Sequence, residues 1–165
     1  MAADGVYIKL EGVDDLKRAM SDVSGKIRKK AITSALREAG KVIQGEARAN
    51  APVLSKPAPY RKPGTVKKSI VVRASKFARK AGDAGVYVSV RPLSGKRQVK
   101  LGKAGAKNPN DPFYWRFLEF GTKFFKPGAG LRFMTNAAKS KGPEAIRTFM
   151  ASAQKQIERL ANRVR

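Results

Sequence analysis

At 165 residues the chain has the length of one domain, and its 36 Lys and Arg against 12 Asp and Glu leave a formal charge of +24. Cysteine and histidine are both absent, which excludes disulfides, thiol nucleophiles, zinc fingers and imidazole-bearing metal sites, and removes the usual general base near neutral pH. So large a charge needs good solvation or a polyanionic or acidic partner, nucleic acid first among them. The basic residues are spread along the chain rather than gathered in a tail, so a solvated basic surface explains them equally well.

No segment approaches the ~20 apolar residues that span a bilayer, and no membrane partner is expected. The opening MAADGVYIKL lacks the basic and apolar regions of a signal peptide. Synthesis in the cytoplasm without export is the expectation.

In chain order, Val6–Leu10 alternates as a short strand, and Gly12–Leu16 opens a short helix with acids in its first turn. Ser24 can cap a longer helix through Asn50, whose apolar residues Ile27, Ala31, Ile32, Ala35, Ala39, Val42 and Ile43 follow three-and-four spacing. Ala51-Pro52 stops it. The stretch Pro52–Gly64 holds four prolines and predicts a long loop, extending over 52–68 before the sheet begins. Ser69–Ala74 and Gly85–Val90 are β-branched and bounded by breakers, which predicts two antiparallel strands joined by a hairpin connection over Ala78–Ala84.

A second long loop, 92–112, carries Lys96, Arg97, Lys100, Lys103 and Lys107 among glycines, the pattern of a basic arm or of simple disorder. Leu131–Ala138 predicts a helical turn. Gly142-Pro143 then predicts the start of a C-terminal helix with Ile146, Phe149, Met150, Ala153, Ile157, Leu160 and Val164 on one stripe. The order gives a single α+β domain over 1–165: an antiparallel sheet packed against a long amphipathic helix and a C-terminal helix, with two long basic loops.

Candidate chemistry is sparse. Asp15-Leu16-Lys17, with Asp4 or Asp14, has the spacing of half a metal-dependent nuclease motif. Such acids belong on strand ends, however, and here they open a helix, so the structural reading prevails. Gly102–Lys107 is glycine-rich and basic but lacks the phosphate-loop spacing. The segment Asp111–Thr122 (DPFYWRFLEFGT) puts five rings around one acid, Glu119. Rings at 113, 114, 115, 117 and 120 cannot all share one face, so at least some must be core, and Glu119 would repel phosphate. No enzyme, metal or cofactor is expected.

Tyr114–Thr122 (YWRFLEFGT) resembles the Y-x-x-x-(x)-E-[FY]-G-T signature of the tail-completion, or head–tail joining, proteins of long-tailed bacteriophages. Leu10–Leu16, Ala35–Gly40, Gly64–Ile70 and Leu131–Ala138 fall in that family's order. Departures are the longer proline-rich loop, Val66 in place of leucine, and Arg132 where proline is usual.

The resemblance implies a structural virion protein of the neck, made in the host cytoplasm. Copies of it, with six the expected number, form a ring that joins the DNA-filled head to the tail. The implied partners are other copies, adjacent connector and tail-tube or tail-terminator proteins, and packaged double-stranded DNA in the channel.

On this reading Tyr114, Trp115, Phe117, Glu119, Phe120, Gly121 and Thr122 form the core and assembly motif. Glu119 is expected to accept hydrogen bonds from the Gly121-Thr122 backbone, or to pair with a basic residue across a subunit boundary. Lys96, Arg97, Lys100, Lys103 and Lys107 are the candidate contacts to DNA or to acidic partners. A DNA-binding accessory protein without sequence specificity is the alternative.

Overall fold

The computed structural model describes residues 25–56, 58–124 and 129–164. The expected strand at 6–10, the helix at 12–16, the Ser24 cap and the carboxylates of Asp4, Asp14 and Asp15 lie outside them.

Two long helices dominate. Helix α1 is Gly25–Asn50, and its buried side includes Ala31, Ala35, Ala39 and Ala47. A C-terminal helix, Phe133–Val164, buries Phe133, Ala137, Ala145 and Ala153. Both rows step by multiples of four, and residues four apart share a helix face. Alanine at such a seam lets two helix axes approach closely. These two helices make the most extensive contact in the fold.

Between them in sequence come a short helix α2, Thr65–Ser69, and the strands β1, Ile70–Ala74, and β2, Val86–Val90. The strands pair antiparallel, from Ile70 opposite Val90 to Ala74 opposite Val86. The Ile70 carbonyl is tied to α1, accepting from Gln44 Nε2 at 2.8 Å and from Arg48 Nη2 at 2.8 Å and Nε at 3.2 Å. Gly40 lies where α1 meets the sheet, and a methyl there would come within 2.8 Å of Val72 Cγ1. Close approach explains a glycine in mid-helix, where it is otherwise unfavourable. The main core cluster (Ala47, Ala51, Val66, Ile70, Val90, Phe133 and Ala137) sits where the end of α1, the sheet and the start of the C-terminal helix converge. The α+β architecture expected from the sequence is the one observed.

Four local expectations differ. The segment expected as a loop over 52–68 ends in helix α2, which begins at Thr65. The connection between the strands contains a helix, α3, Lys76–Lys80, capped by Ser75, whose Oγ accepts from the Ala78 N–H at 3.1 Å. The 92–112 segment contains another, α4, Lys96–Leu101. After a fourth short helix, α5, Trp115–Phe120, the C-terminal helix α6 begins at Phe133 and runs through Pro143 rather than starting there. An interior proline removes one helical hydrogen bond, a loss of about 3 kcal/mol. Burial of Phe133 and Ala137 before it and Ala145 and Ala153 after it holds both halves on α1 and outweighs that loss. Pro143 itself is exposed.

Candidate assembly site

The aromatic segment is anchored at its start by Asp111, which is 4% exposed. One carboxylate oxygen accepts from the Phe113 N–H at 3.0 Å and the other from the Gly105 N–H at 2.8 Å. The second contact bears on the phosphate-loop question: the Gly105 amide already holds an internal anion. Helix α5 then turns its rings in different directions. Tyr114, Trp115 and Leu118 pack against the core. Phe113, Phe117, Phe120 and Phe124 are 36%, 50%, 55% and 93% exposed. Expected as core and intersubunit packing, the block divides between core rings and surface rings.

The Phe113 ring meets those of Tyr114 and Phe117 edge-on, with centroids 5.7 and 6.3 Å away. The Arg61 guanidinium lies 5.1 Å from the Phe113 centroid and 4.9 Å from that of Tyr114, within cation–π range. Burial raises the Tyr114 pKa and the Arg61 charge opposes it. The hydroxyl therefore stays protonated at neutral pH.

Glu119 points the other way and is 1% exposed. Its Oε2 accepts from the Met134 N–H at 2.9 Å, and its Oε1 from the Thr135 N–H at 2.9 Å and the Thr135 hydroxyl at 2.6 Å. These amides open α6, where unpaired N–H groups and the helix dipole favour an anion. The residue at the local cap position, Arg132, has no acceptor on its side chain; its Nε donates to the Ala129 carbonyl at 3.0 Å. Glu119 caps α6 from a distance. Its bonds run to these amides rather than to the adjacent Gly121-Thr122 turn named as one expectation.

The backbone reinforces the join. The Leu131 N–H reaches the Leu118 carbonyl at 2.7 Å, and the Arg132 N–H reaches the Glu119 carbonyl at 3.0 Å. Arg132 has φ 48. Proline, the usual residue at that point of the resembled pattern, has neither that φ nor an N–H. Gly121, φ 79, closes α5 with its N–H 3.0 Å from the Phe117 carbonyl, and Thr122 Oγ1 accepts from the Phe124 N–H at 3.3 Å.

The two long loops are laced to each other. Arg61 Nη1 donates to the Ala106 carbonyl at 2.6 Å, and Thr65 Oγ1 to the Pro109 carbonyl at 3.0 Å. Among the expected contact cations, Lys96, Lys100, Lys103 and Lys107 are exposed. Arg97 instead donates to the Arg91 and Pro92 carbonyls at 3.3 and 3.2 Å. Lys103 and Lys107 line an open cavity of about 440 Å³ with Asn108 and Asn110. These cations lie on segments tied to the aromatic helix through Asp111, Arg61 and Thr65.

Arg61, Asp111 and Thr135 are site residues that sequence reasoning missed, and so is Gly130, whose φ of 58 and close approach to the Glu119 backbone carbonyl leave no room for a side chain. Only Asp111, ahead of a proline and an aromatic run, carried a local signal. Among the described residues no three acids gather as a metal site would require, and no helix is long and apolar enough to cross a membrane.

The family model of the bacteriophage HK97-gp10-like tail component matches residues 14–121. The chain belongs to this family of phage tail components. The match takes in α1 through α5 and stops at Gly121, just past the aromatic helix. As a phage tail component the protein is a virion protein whose partners are other tail and virion proteins. No curated protein and no solved structure matched the chain.

Proposed function

We propose that this tail component is a neck protein. Copies of the single domain, six to a ring, join the DNA-filled head to the tail between connector and tail-tube or tail-terminator proteins. The protein is made in the host cytoplasm and built into the virion as a structural part rather than as an enzyme. The observation that carries this reading is the exposure of four rings, Phe117 and Phe120 on α5 and Phe113 and Phe124 flanking it, on a helix locked to the fold through Glu119. An apolar surface of this kind is characteristic of a binding face. Around it, Arg61, Arg116 and Lys123 lie 4.9–5.9 Å from ring centroids and supply a cationic rim that favours an acidic neighbour.

The test is a double substitution, Phe117→Ser with Phe120→Ser, in a phage that depends on this protein. The isolated variant should keep the wild-type melting temperature, because both rings are half exposed. Electron microscopy of the lysate should show filled heads and separate tails. Joined, infectious particles would overturn the reading. The positive charge and the exposed Lys96, Lys100, Lys103 and Lys107 would then favour a DNA-binding accessory protein.

A further inference from the structure

A second concavity is formed by α1, β1 and α3, with no residue of the aromatic helix in its lining. It has a volume of about 340 Å³ and is lined by Arg37 of α1, Arg73 of β1, and Lys76 and Arg79 of α3, over a floor that includes Val72 and Ala74. Three elements thus bring four cations to one pocket, and no acid is among its lining residues. All four side chains are exposed. Among the described residues none of the four makes a side-chain hydrogen bond or an ion pair. This contrasts with Arg48, Arg61, Arg97 and Arg132, which spend their guanidinium groups on backbone carbonyls.

We propose that this pocket binds the phosphodiester backbone of nucleic acid. Four like charges around one concavity repel each other, and an oxyanion relieves that repulsion. Three of the four are guanidinium groups, whose planar fork matches two phosphate oxygens at once. Tyr87, 42% exposed, stands directly opposite Arg73 in the ladder, so a ring borders the cations where a sugar or base can lie against it. Ser75 Oγ, the one side-chain acceptor in the lining, is engaged by the Ala78 N–H, and the cationic donors suit phosphate oxygens, contacts that position a backbone without reading its sequence. A carboxylate-rich protein surface presents the same charge without a repeating phosphate or a stackable base, and the test includes it as an outcome. The proposal does not rest on the neck reading. It concerns residues towards the Ala74–Val86 end of the hairpin, whereas the 92–112 segment follows its Ile70–Val90 end.

The experiment uses the full chain and a fluorescent 30-base-pair duplex, with anisotropy titrations over a series of salt concentrations. The pocket variant carries Arg37→Gln and Arg79→Gln. A charge-matched control carries Lys139→Gln and Lys155→Gln, both exposed on α6. Loss of two phosphate contacts should weaken binding roughly ten-fold or more near 0.1 M salt and lower the salt slope by about two, while the control changes both far less. Melting temperatures check that neither variant disturbs the fold. Equal losses in the two variants would overturn the proposal, since they would mean a diffuse positive field rather than a site. No loss in the pocket variant would overturn it as well. So would competition by polyglutamate as effective as that of unlabelled duplex at equal charge.

Discussion

Two regions of this molecule are held by different physics. Along the α1–α6 seam, small apolar residues close a helix pair by burial, through Ala31, Ala35, Ala39 and Ala47 on one side and Ala137, Ala145 and Ala153 on the other. At α5 the join is made by hydrogen bonds: Asp111 and Glu119 accept backbone amides from segments before and after the helix. The aromatic area that could have been buried is left partly outside. A seam made by burial uses up its apolar surface in folding. A join made by buried carboxylates leaves apolar surface for other contacts, and that is how a six-residue helix can present rings to a partner.

Glu119 is the residue on which the hydrogen-bonded join depends most. Glu119→Ala removes three hydrogen bonds to one carboxylate and uncaps α6. Hydrogen bonds to charged groups contribute about 1.5–3 kcal/mol and a lost cap up to about 2, so urea unfolding should show a loss of about 2–4 kcal/mol. Glu119→Gln keeps one carbonyl acceptor and should lose less. Gly130→Ala should match the alanine variant without touching the carboxylate. Gly130 has φ 58 and a methyl there collides with the Glu119 carbonyl. If Glu119→Ala loses under 1 kcal/mol, the aromatic end is held by its rings after all.

The buried seam was the legible part in sequence. The Ala31-Ala35-Ala39 spacing predicts an amphipathic helix ending near Asn50, and the β-branched runs predict the two strands, because helix faces and strand alternation are local patterns. The hydrogen-bonded join was not legible. Glu119 finds its partners 15 and 16 residues onward, across a turn that no periodicity marks. The same gap misplaced the start of α6. A proline at 143 looks like a first turn when the true cap lies in another helix. Helices α3 and α4, five and six residues long, were hidden by length, since so short a run carries no full period.

The packing of α1 on the sheet can be probed with two glycines of that helix. At Gly40 an added methyl meets Val72 Cγ1 at 2.8 Å, whereas at Gly45 nothing lies within 4 Å. Gly40→Ala should therefore destabilise by about 1–3 kcal/mol through overpacking. Gly45→Ala should stabilise by about 0.5–1 kcal/mol, the ordinary gain in helix propensity. Thermal melts of the two variants should move in opposite directions. Movement in the same direction would mean that α1 does not press on β1 as closely as the geometry states.

The smallest expected effect is at Pro143, where α6 lacks one backbone donor. Lys141 Nζ lies 2.7 Å from Glu144 Oε2 across that point, with both side chains substantially exposed. The hydrogen bond from Lys141, and then its charge, lower the Glu144 pKa; the same bond and charge raise that of Lys141. Glu144 thus contributes above its ordinary titration range and loses that contribution as pH falls through its lowered pKa. Lys141 contributes below its ordinary range and loses it as pH rises through its raised one. Between those limits the clip is constant, and solvent keeps it weak. Far-ultraviolet circular dichroism of Glu144→Gln should show slightly less helix than wild type at neutral pH, and no difference once acid has protonated Glu144 in the wild type. A difference that persists in acid would mean that Glu144 supports α6 through its packing rather than its charge. Continuity through the proline would then depend on burial against α1 alone, as the rest of that seam does.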